Sequence, residues 1–138
     1  MFHISRTVLH AIQALLYLGK VQRIASCGEM HKEMGCPQRY MLQIMRKLVL
    51  HDTVVAVRGV TGGYLLDKPL SQISLLEIIE AIEGPVASHL HFQPYGPMPV
   101  LEEQLQRVAS EFRQSLASVT LDLLASDVSF ETLCPSNR

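Results

Sequence analysis

Gln38, Arg39, Tyr40 and Gln43 lie within two turns of a helical stretch, and Lys47 follows one turn later. These residue types read or hold nucleic acid. Arg pairs bidentately with guanine, Gln suits adenine, and Lys, Arg and a phenol hydroxyl bind phosphates. Further on, Arg58 stands ahead of Gly59-Val60-Thr61-Gly62-Gly63, a guanidinium at a glycine-rich turn. An Arg at a hairpin tip reaches phosphates or the minor groove. The expected contact set is Gln38, Arg39, Tyr40, Gln43, Lys47, Arg58, Gly59, Thr61 and Gly62. The alternative is a set of solvated surface side chains. Tyr40 suits both roles, with its ring in the core and its hydroxyl on phosphate.

Other chemistries find little support. The chain has no phosphate loop, no HExxH motif and no nucleophile with a credible His and acid partner, so an enzyme is not expected. Cys27, Cys36 and Cys134 are widely spaced and contain no CxxC, which points to reduced thiols. His89 and His91 are candidate metal ligands in a loop, but two imidazoles fall short of the three or four a metal needs. His3, His10 or Glu102 would have to complete such a set. Cys36, at a helix start, is a candidate for oxidation. No cofactor is expected.

Charge divides the chain. Residues 1–68 hold nine Lys/Arg against four Asp/Glu, and residues 69–138 hold three against nine. Phosphate binding therefore belongs to the first half. No apolar run reaches membrane-spanning length, and the N-terminal stretch lacks a basic leader, so a cytoplasmic protein is expected.

The elements that must position these residues follow from caps and periodicity. Ser5 caps an apolar helix over 6–21. Ser26-Cys27-Gly28-Glu29 is a capping box for a short helix that ends near Met34, with Gly35 as its C-cap. Cys36 reads as the next N-cap and Pro37 as the first helical position of a third helix, which runs to Leu50. Tyr40, Met41, Ile44, Met45 and Leu48 form its apolar stripe. Val54–Val57 and Tyr64–Leu66 read as strands around the glycine turn, whose glycines supply positive φ. Ser74-Leu75-Leu76-Glu77 opens a helix to Glu83. Residues 85–99, with Pro85, Pro94, Pro97 and Pro99, read as a loop. From Val100, Leu101, Leu105, Val108, Phe112, Leu116, Val119 and Leu123 recur every three or four residues. That stripe predicts one long helix that pairs with a second copy. The fold class is mostly α with a small β-wing. A winged helix-turn-helix domain (1–84), a Pro-rich loop (85–99), a dimerisation helix (100–125) and a tail (126–138) make up the chain.

With these pieces in place, residues 1 to about 125 resemble a family of bacterial regulators. It includes the iron–sulfur cluster regulator, the nitric-oxide-sensing repressor and the cysteine-metabolism repressor. The resemblance rests on Ser5 and the helix after it, on Pro37-x-x-Tyr40-Met41 leading to Lys47-Leu48, and on Arg58-Gly59-x-x-Gly62-Gly63-Tyr64-x-Leu66. Ile73-Ser74-Leu75-x-Glu77-Ile78, Ile82-Glu83-Gly84 and Val119-Thr120-Leu121 add to it. It implies a homodimeric winged-helix transcription factor, with Tyr40 and Gln43 on the DNA face and Arg58 to Gly63 as the wing. Cluster-binding members carry three Cys in the loop before the long helix and, in some, an acidic residue early in the first helix. Here the loop has no Cys and the helix position is Val8, so a cluster held in the family's way is not expected.

The sequence thus points to a homodimeric regulator, of repressor type, on double-stranded DNA with a palindromic operator. Its signal would be a small ligand or a partner protein acting at the loop. The rivals are a protein-interaction regulator that has lost DNA binding and a metal-responsive regulator that uses His89 and His91.

Overall fold

The computed structural model describes residues 2–86 and 96–126. Helix α1 (Arg6–Val21) starts where Ser5 Oγ accepts from the Val8 amide at 3.2 Å. It ends at Gln22, which takes a left-handed conformation and donates to the Leu18 carbonyl. Every residue from Ala11 to Leu18 is buried, so α1 is the central rod of the core. Burying a Leu or Ile side chain contributes about 1.5–3 kcal/mol, so this rod anchors everything packed around it.

Helix α2 (Cys27–Met34) and helix α3 (Gln38–Leu50) pack across Gly35, which is left-handed at φ +65°. Ser26 caps α2 by accepting from the Glu29 amide, as the capping box requires. The Glu29 carboxylate does not reach back to complete the box. It accepts from Tyr17 and Arg23 and ties α2 to the end of α1. α3 begins one residue later than its sequence pattern indicates. Pro37 is the N-cap, and its carbonyl accepts from Met41.

Strands β1 (Val54–Val57) and β2 (Gly63–Leu66) pair antiparallel, Val54 opposite Leu66 and Val57 opposite Gly63. Their glycines serve two purposes. Gly59 alone supplies a positive φ, +121°. Gly62 and Gly63 instead supply room: a Cβ would lie 2.2 Å from the Val57 carbonyl oxygen at the first and 2.4 Å from the Ala25 carbonyl oxygen at the second. That corrects the expectation of positive φ throughout the turn. The close approach at Gly63 has a purpose. Ala25 and Tyr64 exchange backbone hydrogen bonds of 3.0 and 2.9 Å, which fastens the hairpin to the residue just ahead of the Ser26 cap.

A 3₁₀ turn at Leu70–Gln72 leads to helix α4 (Leu75–Glu83), capped by Ser74. Helix α5 spans Pro99–Ser118, and helix α6 spans Leu121–Ala125. The stripe that predicts one continuous helix is therefore interrupted. Val119 and Thr120 are extended, and backbone pairing explains it. Leu75 donates to the Val119 carbonyl at 2.8 Å and Leu121 donates to the Ile73 carbonyl at 3.0 Å. Those bonds, on a β-branched pair, replace the helical ladder. Val119 thus leaves the long helix. Leu116 and Leu121 join the domain's own core, and Phe112 packs edge-on against Phe2 at 4.7 Å. Arg113 of α5 pairs with Glu80 of α4, whose Oε1 also accepts from the Val86 amide.

Candidate nucleic-acid interface

The face that α3 turns away from the core is polar. Met41, Ile44, Met45 and Leu48 are buried, whereas Gln38, Arg39, Gln43 and Arg46 are exposed. Spacings of three and four put Arg39, Gln43 and Arg46 in one row along the helix. Tyr40 stands between the two faces. Its ring packs against the core cluster, and its hydroxyl lies 3.1 Å from Nδ1 of His10. His10 and Tyr40 also meet edge-on, at 86° and 5.4 Å between ring centroids. Burial, and secondly the charge of Arg6, hold the His10 imidazole below its ordinary value.

Lys47 is placed otherwise than its spacing suggests. Its Nζ donates to the Ile82 carbonyl at 2.9 Å, near the end of α4. A cation there satisfies an orphan carbonyl and meets the negative end of the helix dipole. Lys47 thus has a contact within the fold while it stays exposed, and Arg46 beside it is exposed on the outer row. Only the packing of α4 on α3 separates the two cations.

Arg58, Gly59 and Thr61 are exposed on the hairpin, and Val60 at its tip is 106 % exposed. The Gly62 amide closes the turn on the Gly59 carbonyl at 3.0 Å. The hairpin's inward side meets α2, where the Cys27 thiol and the Tyr64 hydroxyl interact and burial pushes both their pKa values up. A raised thiol pKa makes Cys27 a poor nucleophile. Cys36 is buried, and its carbonyl accepts from His31.

The sequence also missed the clamp behind this interface. The hydrogen bonds from Arg23, then Tyr17, bring the Glu29 carboxyl down to about 2. Burial, then the bond to Glu29, raises Tyr17 to about 12. Glu29 gave a signal as a capping-box acid, but its long-range partners left none.

A helix-turn-helix with a two-stranded hairpin fastened behind its first helix is a winged helix-turn-helix, a fold of transcriptional regulators. The chain belongs to the Rrf2 family, described as iron-dependent transcriptional regulators, whose profile matches residues 4–127. It is a DNA-binding transcriptional regulator and not an enzyme. An HTH-type transcriptional regulator of Mycobacterium tuberculosis is 27% identical over 119 residues, covering 81% of this chain and 74% of that protein. The structure of CymR, the global cysteine regulator of Bacillus subtilis, superposes with a TM-score of 0.75. It is 24% identical and covers 94% of this chain and 100% of that one. IscR of T. potens gives a TM-score of 0.68 at 24% identity over 93% of this chain and 89% of that one.

The family's description names iron, which an iron–sulfur centre holds through clustered thiolate or imidazole donors. Residues 86–100 contain no cysteine. Among the described residues no three His, Cys, Asp or Glu side chains gather. Cys27 and Cys36 are committed to the helix-turn-helix. His89 and His91 lie outside the described residues, as does Cys134. Among the described residues no helix is long and apolar enough to cross a membrane.

Proposed function

We propose that this protein is a homodimeric repressor that reads a two-fold symmetric DNA operator with α3 in the major groove and the β1–β2 hairpin on the flanking backbone. One observation carries the reading: α3 buries Met41, Ile44, Met45 and Leu48 and exposes Arg39, Gln43 and Arg46 on the opposite side, with Gln38 exposed at its start. A helix with one apolar and one Arg/Gln-bearing face suits a groove lined by base edges. Arg39 and Gln43 are the base readers. Tyr40, Arg46 and Arg58 hold phosphates, with Gly59, Thr61 and Gly62 bringing backbone close to the duplex. Gln38 stands at the helix start, where groove contacts concentrate.

Dimerisation is supported by apolar surface left over from the core. Val100 and Val108 on α5 are 70 % and 51 % exposed, and Phe2, Ile4 and Leu9 are exposed as well. Leu101 and Leu105 are half-buried on the same stripe. A second copy would cover this face, and two-fold symmetry then makes the operator palindromic. Residues 1–84 are the reading unit, and the outward face of α5 is the pairing unit. A dimer bound at a promoter represses by occupying it, and a small ligand or a partner protein acting at residues 86–100 would release it.

The test is a mobility shift on DNA upstream of the protein's own gene, at graded salt, with sedimentation of the free protein. A shift that weakens steeply with salt, from a protein sedimenting as a dimer, is expected. Salt-independent binding, or a monomer that protects a single half-site, would overturn the reading.

A further inference from the structure

Tyr40 is held by a residue that the DNA-reading helix does not contain. His10 lies thirty positions earlier, on α1. Its Nδ1 lies 3.1 Å from the Tyr40 hydroxyl, and its ring stands edge-on to the phenol. Both side chains are half-buried, so the pair joins the buried rod α1 to the exposed row of α3. The direction of this hydrogen bond decides what the phenol can do next. If the imidazole accepts, the phenol proton is spent inside the protein. If Nδ1–H donates, the phenol oxygen accepts and its own O–H is left to donate to an anion.

We propose that His10 is a positioning residue for DNA binding: its Nδ1–H donates to the Tyr40 hydroxyl and so directs the phenol O–H onto a backbone phosphate. This rests on the placing of Tyr40 at phosphate argued above. Three observations support it. The edge-on ring contact fixes the phenol's direction, so its hydroxyl cannot swing freely toward water. Burial, and secondly the charge of Arg6 one turn earlier, lower the His10 pKa and so favour the neutral imidazole, in which one nitrogen carries a proton and one does not. Arg6 also brings a cation to the same corner, where a phosphate supplies the opposite charge. Tyr40 itself supplies no cation, so this contact contributes orientation more than long-range attraction.

The experiment measures full-length protein on a mixed-sequence DNA duplex at low salt, because phosphate contacts do not depend on base sequence. Tyr40→Phe keeps the ring and removes the hydroxyl; it should weaken binding roughly tenfold, as for a hydrogen bond to a charged group. His10→Phe keeps a ring of similar shape against the phenol and should weaken binding roughly fivefold. The double variant should be no weaker than Tyr40→Phe alone, because His10 acts only through that hydroxyl. His10→Asn, which restores a donor near the Nδ1 position, should recover most of the loss. Circular dichroism melting identifies a variant that fails to fold, and the Asn variant then carries the comparison. Tyr40→Phe with unchanged affinity would overturn the placing of Tyr40 at phosphate, and this inference with it. A weakened Tyr40→Phe beside an unaffected His10→Phe would overturn the inference alone. So would additive losses in the double variant, or an Asn variant as weak as the Phe one.

Discussion

The helix-turn-helix with its wing and the long helix α5 treat their apolar periodicity differently. In α3 the buried stripe is complete: Met41, Ile44, Met45 and Leu48 all face the protein's own core. In α5 the stripe is shared out. Leu116 is buried, Phe112 leans on Phe2, Leu101 and Leu105 are half-buried, and Val108 faces outward. A stripe of apolar residues specifies that a face will be covered; it does not specify by what. Where the partner elements are near in sequence, the chain supplies them. Where they are not, half of the stripe is left for another surface.

The largest expected effect separates the two ends of that stripe. Leu116→Asp places a carboxylate in the domain core and should cost several kcal/mol, seen as a large fall in the urea midpoint. Val108→Asp should leave the stability of the isolated fold within about 0.5 kcal/mol, as a surface substitution does, while abolishing self-association in sedimentation. Equal destabilisation by both would mean that α5 has one environment along its length. A dimeric Val108→Asp protein would move the pairing face elsewhere.

The next effect probes how the wing is fastened. Gly63→Ala sets a Cβ against the Ala25 carbonyl, where backbone must shift. It should cost about 1–3 kcal/mol in chemical denaturation. Gly59→Ala should also destabilise, through its positive φ alone, by about 1 kcal/mol. If Gly59→Ala proved the more damaging, the bridge from Ala25 to Tyr64 would be a minor fastening.

Within the reading face, Arg39→Ala or Gln43→Ala should lose about 1–3 kcal/mol of discrimination at one base pair per half-site. Arg58→Ala should weaken all sequences alike and lower the salt slope by about one unit. Footprint-guided competition binding distinguishes the two patterns, and uniform weakening by Arg39→Ala would move it from base reader to phosphate clamp.

The smallest effect concerns acid. The Glu29 carboxyl sits lower in the folded chain, at about 2, than its ordinary value of 4.5. Stability from the Arg23 and Tyr17 bonds is therefore present above pH 4.5 and lost as pH falls toward 2. The gap between wild type and Glu29→Gln should narrow over that window in thermal melts. The site is solvent-screened, so the gap is small. A gap constant with pH would mean that the carboxylate contributes packing only.

What the sequence by itself determined was local. Ser5, Ser26 and Ser74 each cap the helix they precede, because a hydroxyl reaching an amide three residues on is a short-range geometry. The α3 stripe, the Gly35 turn and the order helix, hairpin, helix were legible for the same reason. So was the row of Arg39 and Gln43, since helical spacing alone sets which side chains share a face. The tertiary structure decided everything that needs a partner distant in sequence. It tied Lys47 to the end of α4, a contact that spacing cannot assign between two neighbouring cations. It diverted Glu29 from its cap to Tyr17 and Arg23, and brought His10 to Tyr40. It broke the long helix at Val119, where the strand-like pairing offered by Ile73–Leu75 outcompetes a helical ladder that the residues' own periodicity favours. Each of these depends on a carbonyl, carboxylate or ring presented by another element, and no run of neighbouring residues carries that information.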